Sequence, residues 1–221
     1  MSEGELSLRE RKKRATRQRI SNVATELFKA RGFDGVSVAE VARAAEVSTM
    51  TVFNYFPRKE DLFLDRIPEA VEVLSGAVRH RAPDETPLAA LRRLTLELRD
   101  QHHPLAGPND NFPDFWQVVI DSPALRARAR EGLEEIENAL AAALAETAPD
   151  TSDRAPDAPD QDSATPDPAL TAALIVAAYR SVYVTTARRL LAGERGEATA
   201  GDHQARLNAA FDVLERALAP K

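Results

Sequence analysis

The chain has 221 residues, of which 43% are hydrophobic and 29% charged, with a formal net charge of −6 at pH 7 and no cysteine. This composition is typical of a soluble globular protein, and the lack of cysteine excludes disulfides, thiolate metal sites and a cysteine nucleophile. The N-terminus is charged where a signal peptide would be apolar, and we find no run of about 18 apolar residues that would predict a membrane span. We therefore expect a cytoplasmic protein with no membrane association.

Basic charge is concentrated at the N-terminal end of the chain. Residues 1–68 contain 13 Lys and Arg against 10 Asp and Glu, so the acidic excess lies in the remainder. Seven basic residues fall between Arg9 and Arg19. This distribution would attract a polyanion to one end of the protein. From the residues alone, a solvated and charged helix start remains an equal alternative.

The first predicted helix follows a loose tail at residues 1–8. Apolar residues at three- and four-residue spacing predict a helix from about Arg9 to Arg31, and Gly32 stands where a helix C-cap is expected. Two short helices come next. Ser37 is the predicted N-cap of the first, with Glu40 completing a capping box, and Ser48 is the predicted N-cap of the second. The short connection between them, at residues 45–47, predicts a helix-turn-helix unit.

Pro57 is expected to end the second short helix and to open another, which continues to about Arg81. Pro68 should kink or break that helix near Ile67. The remaining segments also show helical periodicity, including two final helices at about 169–193 and 203–218. Residues 148–168 differ, because five prolines and six aspartates without a large apolar side chain predict an exposed, mostly disordered loop. The predicted fold is all-α, with a three-helix head and a larger helical body.

A longer pattern covers residues 23–63. It begins with an aromatic–glycine–aromatic joint (Phe28, Gly32, Phe33) and ends in V-S-x-x-T-hydrophobic-aromatic-x-x-F-x-x-K-x-x-L, from Val47 to Leu62. With this pattern the chain resembles the DNA-binding domain of TetR-type transcriptional regulators. The resemblance divides the chain into a helix-turn-helix DNA-binding domain at residues 9–66 and a ligand-binding and dimerisation domain at residues 67–221.

The resemblance implies a bacterial homodimer that binds a palindromic, double-stranded operator, usually as a repressor released by a small-molecule effector. It implies no catalysis and no cofactor. Two alternatives remain open. One is a helical small-molecule-binding protein or enzyme without operator binding, although no phosphate loop, metal-ligand set or nucleophile–base set favours an enzyme. The other is a basic amphipathic helix at residues 9–31 that binds a membrane surface.

The resemblance also identifies the residues expected to contact DNA. The recognition helix runs from Ser48 to Phe56, with Val52 and Phe56 facing the core. Asn54 is suited to an adenine edge, and Thr49 and Met50 to a thymine methyl group. Helix capping and a solvated face are the alternatives for these polar residues. The complete predicted set comprises Ser37, Thr49, Met50, Thr51, Phe53, Asn54, Tyr55 and Lys59, with Arg14 and Arg17 of the basic helix; Ser37, Tyr55 and Lys59 are best suited to phosphates.

Two residues depart from the family pattern. Phe53 stands where many relatives have tyrosine, so it lacks the hydroxyl that reaches a phosphate and is suited instead to apolar base or sugar contact. Glu46 stands where many relatives have glycine. A left-handed backbone at Glu46 would cost about 1 kcal/mol relative to glycine, so the turn either bears this strain or adopts another geometry.

An effector pocket is expected in the body, because such pockets are mostly apolar with a few directed polar groups. Ordinary core packing is the alternative for each candidate. The adjacent pair His102 and His103 has no suitably spaced partner, so we expect no metal. The candidate pocket residues are His102, Phe112, Phe115, Trp116, Tyr179, Arg180 and Tyr183.

Overall fold

The computed structural model describes residues 7–107, 112–148, 167–194 and 197–219. Within these ranges the protein consists of α-helices and short 3₁₀ turns, with no strand, which confirms the all-α prediction. The predicted loop at residues 148–168 lies almost wholly outside the described residues. The helices are α1 Leu8–Arg31, α2 Val38–Ala44, α3 Thr49–Tyr55, α4 Ile67–Arg79, α5 Pro87–Asp100, α6 Phe112–Asp121, α7 Pro123–Glu146, α8 Pro168–Leu191 and α9 Glu197–Leu218.

The chain divides into two compact units. The first unit comprises residues 1–65 and 114–130, and the second comprises residues 66–113 and 131–221. Most of α6 and the first part of α7 therefore pack with the N-terminal helices, although the sequence analysis placed them in the C-terminal domain. The reason is visible at Phe115, whose ring stacks on Phe63 at 4.9 Å between centroids. The amphipathic pattern of this aromatic segment predicts which face of the helix is buried. It does not predict which neighbouring helices cover that face.

The core of the first unit joins all of its helices. Ile20, Ala24 and Phe28 of α1 are fully buried, as are Val41 of α2 and Val52 of α3. Helix α3 is held down by Val52 and by its C-cap residue Phe56, as the helical spacing predicted. This core fixes the orientation of α3 within the first unit, leaving its opposite face outward.

Pro68 starts a helix and does not interrupt one. Residues 57–66 contain only a 3₁₀ turn, Glu60–Leu62, and α4 begins at Ile67 with Pro68 in its first turn. The predicted helix from Pro57 to about Arg81 is therefore wrong over residues 57–66. The first-turn amide has no partner inside a helix, so proline fits there without loss of a hydrogen bond. Helix α9 also begins earlier than the predicted residue 203.

The second unit is a helical bundle in which α8 packs along α9, and α5 contacts both α4 and α9. Its core includes Val78, Leu91, Leu140, Ile175 and Phe211. Helix α8 is long and apolar enough to cross a membrane by length and composition alone, with a mean hydropathy of 1.3. Arg180, Ser181 and Thr185 interrupt its apolar residues, so it is not the continuous run of about 18 apolar residues that the sequence was found to lack. In the structure α8 buries Ile175 and Val176 in the core of the second unit.

Candidate functional site

Two serine caps set the position of the helix-turn-helix. Ser37 caps α2 in a capping box, because its hydroxyl accepts from the Glu40 amide and the Glu40 carboxylate accepts from the Ser37 amide. The amide and the hydroxyl of Ser37 both donate to the Glu40 carboxylate and, with a further hydrogen bond from Arg31, lower the pKa of Glu40 to about 2. The Ser48 hydroxyl caps α3 by accepting from the Thr51 amide at 3.0 Å. Both predicted caps are confirmed.

The turn between α2 and α3 requires a left-handed residue, and that residue is Glu46. Its φ is 53°. The Val47 amide donates to the Ala42 carbonyl oxygen at 2.9 Å, and the Glu46 amide donates to that of Arg43 at 3.1 Å. These two bonds form the motif that commonly ends helices through a left-handed residue, most often glycine. Of the two geometries that the sequence left open, the structure has the left-handed one.

Four exposed side chains form the outward face of α3: Thr49, Met50, Phe53 and Asn54. Successive helical residues are rotated by about 100°, so these four occupy one continuous arc of about 140° opposite Val52. Met50 is 70% exposed and Phe53 44% exposed. We call this four-residue surface the α3 face. All four were predicted to contact DNA, and the structure presents them together.

Thr51 and Tyr55, also predicted to contact DNA, lie on the flank of α3 and not on its outward face. Both are half-buried. The Thr51 hydroxyl lies 2.8 Å from the Ser48 hydroxyl, so it takes part in the helix cap. The Tyr55 side chain packs against the core of the first unit. Sequence spacing could not separate the flank from the outward face, because that depends on how α3 is tilted on α1 and α2.

Lys59 and Arg17, two of the predicted phosphate-binding cations, make contacts within the first unit. The Lys59 ammonium donates to the Phe33 carbonyl oxygen at 2.7 Å and lies 4.2 Å from the centre of the Phe33 ring. The Arg17 guanidinium donates to the Asp65 carbonyl oxygen at 2.7 Å and lies 4.7 Å from the Phe56 ring centre. Both cations therefore help to hold the α3–α4 connection, whatever phosphates they also contact.

The first two turns of α1 carry the exposed basic charge. Every residue from Leu8 to Ala15 is exposed, including the predicted contact residue Arg14. Apolar burial begins only at Ile20. The first two turns of α1 are thus a basic stretch of helix with no core-facing side.

Comparison with known proteins identifies the family. The sequence profile described as "Bacterial regulatory proteins, tetR family" matches residues 20–65, the segment that contains the capped helix pair and the α3 face. The chain belongs to the TetR family. Its residues 20–65 form the helix-turn-helix domain of that family, as the resemblance implied.

Relatives of this TetR-family chain extend the comparison beyond the matched domain. The HTH-type transcriptional regulator TcmR of Streptomyces glaucescens is 33% identical over 143 residues, which are 62% of this chain and 62% of TcmR. The match thus spans less than two thirds of that curated protein. Among solved structures, a regulator from Mesorhizobium loti assigned to the TetR family has a TM-score of 0.55 at 17% identity, covering 92% of this chain and 96% of that one. The fold of the whole chain is therefore a TetR-family fold.

A further solved structure of the same fold contains a ligand. FadR of Thermus thermophilus, described as a TetR-family transcriptional repressor in complex with lauroyl-CoA, has a TM-score of 0.52 at 23% identity. The similarity covers 93% of this chain and 96% of FadR. At this identity the comparison concerns the fold alone.

The predicted effector residues of the TetR-family chain do not form one group. Phe115 and Trp116 pack in the core of the first unit, their rings meeting edge to face at 6.0 Å. Tyr179 and Tyr183 lie in the second unit. The side chain of Phe112 is outside the described part of the structure. The prediction grouped these residues mainly by their aromatic character. Aromatic character does not indicate which of the two units each residue packs in.

Tyr179 and Tyr183 stand at the centre of an aromatic row in the second unit. Their rings are 6.5 Å apart, and Tyr179 meets Phe211 edge to face at 5.7 Å. The Tyr183 hydroxyl donates to the Leu105 carbonyl oxygen at 2.8 Å. Burial raises the pKa of both tyrosines well above the ordinary value, so both hydroxyls stay protonated. The Tyr179 hydroxyl is buried without a hydrogen-bond partner among the described residues.

Arg180 and His102 are exposed and do not belong to this row. His102 has a φ of 51°, and it ends α5 as its left-handed residue, with the His103 amide donating to the Leu98 carbonyl oxygen at 2.8 Å. The neighbouring His103 Nε2 lies 3.2 Å from the Glu69 carboxylate. Within the described ranges, no three His, Asp or Glu side chains are grouped to hold a metal ion.

Sequence reasoning missed His203, the buried histidine that continues the aromatic row. Its ring meets Tyr183 edge to face at 4.7 Å, its Nδ1 lies 2.8 Å from the Thr186 hydroxyl, and its Nε2 has no partner in the described structure. Burial lowers the pKa of His203 to about 4, so the imidazole is neutral near pH 7. Gly107 approaches so closely that a Cβ there would lie 2.7 Å from Nε2. A single histidine on a polar helix gave no signal of this environment.

Proposed function

We propose that this TetR-family regulator is a repressor that binds a palindromic operator as a homodimer in the cytoplasm and is released by a small-molecule effector. The α3 face carries the proposal: four exposed side chains on a capped helix that is oriented by the core beneath it. A helix with such a surface fits the major groove, where all four base pairs can be distinguished. We propose no catalytic role.

Exposed apolar side chains support the homodimer. Leu170 and Leu174 of α8 are 55% and 37% exposed, and Val213 of α9 is 55% exposed. Leu170 and Leu174 are four residues apart and so project from the same side of α8. An apolar surface on the last two helices is suited to a second copy of the chain, and a symmetric pair would match a palindromic operator.

Two buried polar atoms support an effector site in the second unit. The Tyr179 hydroxyl and His203 Nε2 belong to one aromatic row and lack partners in the described ranges. Buried polar groups are normally hydrogen-bonded, and an unpaired one is a place where a ligand can gain a bond. The similarity in fold to FadR, which was solved with lauroyl-CoA, supports a ligand in this kind of helical body.

Binding titrations against the DNA that flanks its own gene test the proposal. We expect a sequence-specific complex whose affinity falls as salt rises, because basic side chains neutralise phosphates. Changing Arg11, Lys12, Lys13 and Arg14 together to Gln should flatten the plot of log affinity against log salt by about 0.9 for each phosphate that is no longer neutralised, with operator preference unchanged. The control variant has Gln in place of Arg188 and Arg216, two exposed arginines of the second unit. This change should leave the slope of the plot unchanged.

The outcome distinguishes the proposal from its alternative. If no flanking DNA gives a salt-dependent, sequence-specific complex, operator binding is contradicted. If the protein then still binds small molecules, it is better described as a helical small-molecule-binding protein.

A further inference from the structure

The recognition helix carries no charge. Helix α3 has the sequence TMTVFNY, which contains neither Arg nor Lys. The commonest specific contact to guanine is a bidentate hydrogen bond from Arg or Lys to O6 and N7 in the major groove. Helix α3 cannot make that contact with its own side chains.

The α3 face is largely apolar. Met50 and Phe53 are three residues apart, so they are neighbours on the helix surface, and Thr49 adds a methyl group beside Phe53. Asn54 contributes the only amide. The Thr51 hydroxyl, which could have added a further polar group, is engaged with Ser48 at 2.8 Å. The contacts this face offers are therefore mostly apolar, with the Thr49 hydroxyl and the Asn54 amide as its polar groups.

Scattered exposed hydrophobic residues are normal on a protein surface and need no partner. Here they are not scattered evenly. Seven large hydrophobic side chains are exposed in the described ranges, and two of them, Met50 and Phe53, lie on a helix of seven residues. Met50 is the most exposed of all seven, at 70%. This concentration on the groove-facing side of the helix indicates a contact surface.

We propose that the α3 face recognises thymine C5-methyl groups through Met50 and Phe53, with Asn54 reading an adjacent adenine. In the major groove the thymine methyl is the apolar group that distinguishes a T·A pair, and apolar side chains are its usual contacts. The inference deepens the proposed operator binding and rests on it. Each operator half-site therefore contains thymines whose methyl groups contribute to affinity. Phe53 contacts such a methyl group with its ring.

The test removes the methyl groups and nothing else. A binding sequence is first selected from randomised duplex DNA, and each thymine of the half-site is then replaced by deoxyuridine, which keeps every hydrogen-bonding group. We expect at least one position in each half-site where the replacement weakens binding about fourfold, the effect of removing one buried methyl-sized group. Deoxyuridine placed outside the half-sites is the DNA control and should have no effect.

Protein variants identify the contacting side chain. Met50→Ala or Phe53→Ala should weaken binding to thymine DNA and abolish the difference between thymine and deoxyuridine at the position that each residue contacts. Both side chains are exposed, so neither variant should unfold the protein. Ile120→Ala, which shortens an exposed apolar side chain elsewhere in the first unit, is the matched control and should retain the full difference.

The possible failures are distinguishable. Sequence-specific binding that is insensitive to deoxyuridine throughout the half-sites, or a selected half-site without thymine, would overturn this inference and leave the proposed function standing. The absence of any sequence-specific binding would overturn both.

Discussion

Glu46 adopts a backbone conformation that is unfavourable for a residue with a side chain. The ending of α2 requires a left-handed residue, and Glu46 adopts a φ of 53° there. The Cβ of an L-residue makes this conformation unfavourable, whereas glycine adopts it freely. The chain therefore keeps a strained residue within the connection that positions α3.

Glu46→Gly should stabilise the protein. Relief of the left-handed strain should raise the free energy of unfolding by about 1 kcal/mol, measured by thermal or urea denaturation. Glu46→Ala is the control, because it removes the carboxylate but retains the Cβ. Equal stabilisation by the two variants would show that charge, and not backbone strain, is responsible.

His203 gives the second unit a defined sensitivity to acid. Its pKa is about 4 in the folded protein against 6.5 ordinarily, because burial disfavours the charged ring. Between these two pH values the unfolded chain binds more protons than the folded chain, so the free energy of unfolding falls as the pH falls through this window. Below about pH 4 this decrease is complete.

His203→Gln should flatten the pH dependence of stability between pH 6.5 and 4, measured by urea denaturation at a series of pH values. The comparison concerns the slope, since Gln also alters the stability at neutral pH. His80→Gln, at an exposed histidine of α4's C-cap, should keep the slope of the unaltered protein. An unchanged slope in the His203 variant would contradict the prediction.

Among the elements, α7 is tied to the first unit by a buried ion pair. The Arg128 guanidinium donates to the Asp61 carboxylate at 2.7 Å, and its side chain is 9% exposed against 20% for Asp61. Asp61 lies in the 3₁₀ turn that follows α3. The pair therefore joins the turn after the recognition helix to the start of α7, within one unit.

Arg128→Met should destabilise the protein by about 3 kcal/mol, because it leaves the largely buried Asp61 carboxylate without its guanidinium partner. Urea denaturation measures the change. Arg130→Met, at an exposed position of the same helix, should change the stability by less than about 1 kcal/mol. Similar stabilities for the two variants would show that the buried pair contributes little.

For the whole molecule, the proposed dimer determines how much operator affinity is gained by tethering two recognition helices to each other. Leu170→Glu with Leu174→Glu places two charges on the exposed apolar side of α8. We expect a monomer in analytical ultracentrifugation and an operator affinity lower by about 100-fold, because the second half-site no longer benefits from tethering. Ile120→Glu, an equally drastic change at a 40% exposed position of α6, should leave the dimer intact. A dimeric double variant would exclude this surface as the interface.

Local patterns in the sequence predicted the local structure well. Ser37 and Ser48 are helix caps because their hydroxyls need only an amide two or three residues away. Val52 and Phe56 are buried because helical spacing decides which residues share a face. The family pattern rests on these same short-range features, which is why about 40 residues sufficed to indicate the family and the recognition helix.

Only the tertiary structure decided the features that depend on distant residues. Phe115 and Tyr179 are equally aromatic in the sequence, yet they pack in different units. Lys59 reads as an exposed cation, yet its ammonium binds the Phe33 carbonyl oxygen. His203 carries no local signal, and its low pKa arises from burial in a core that several helices build. Periodicity and capping act within a few residues, so the sequence determined the helices and the outward face of α3. The environment of each buried group depends on which helices meet, and that was settled only by the fold.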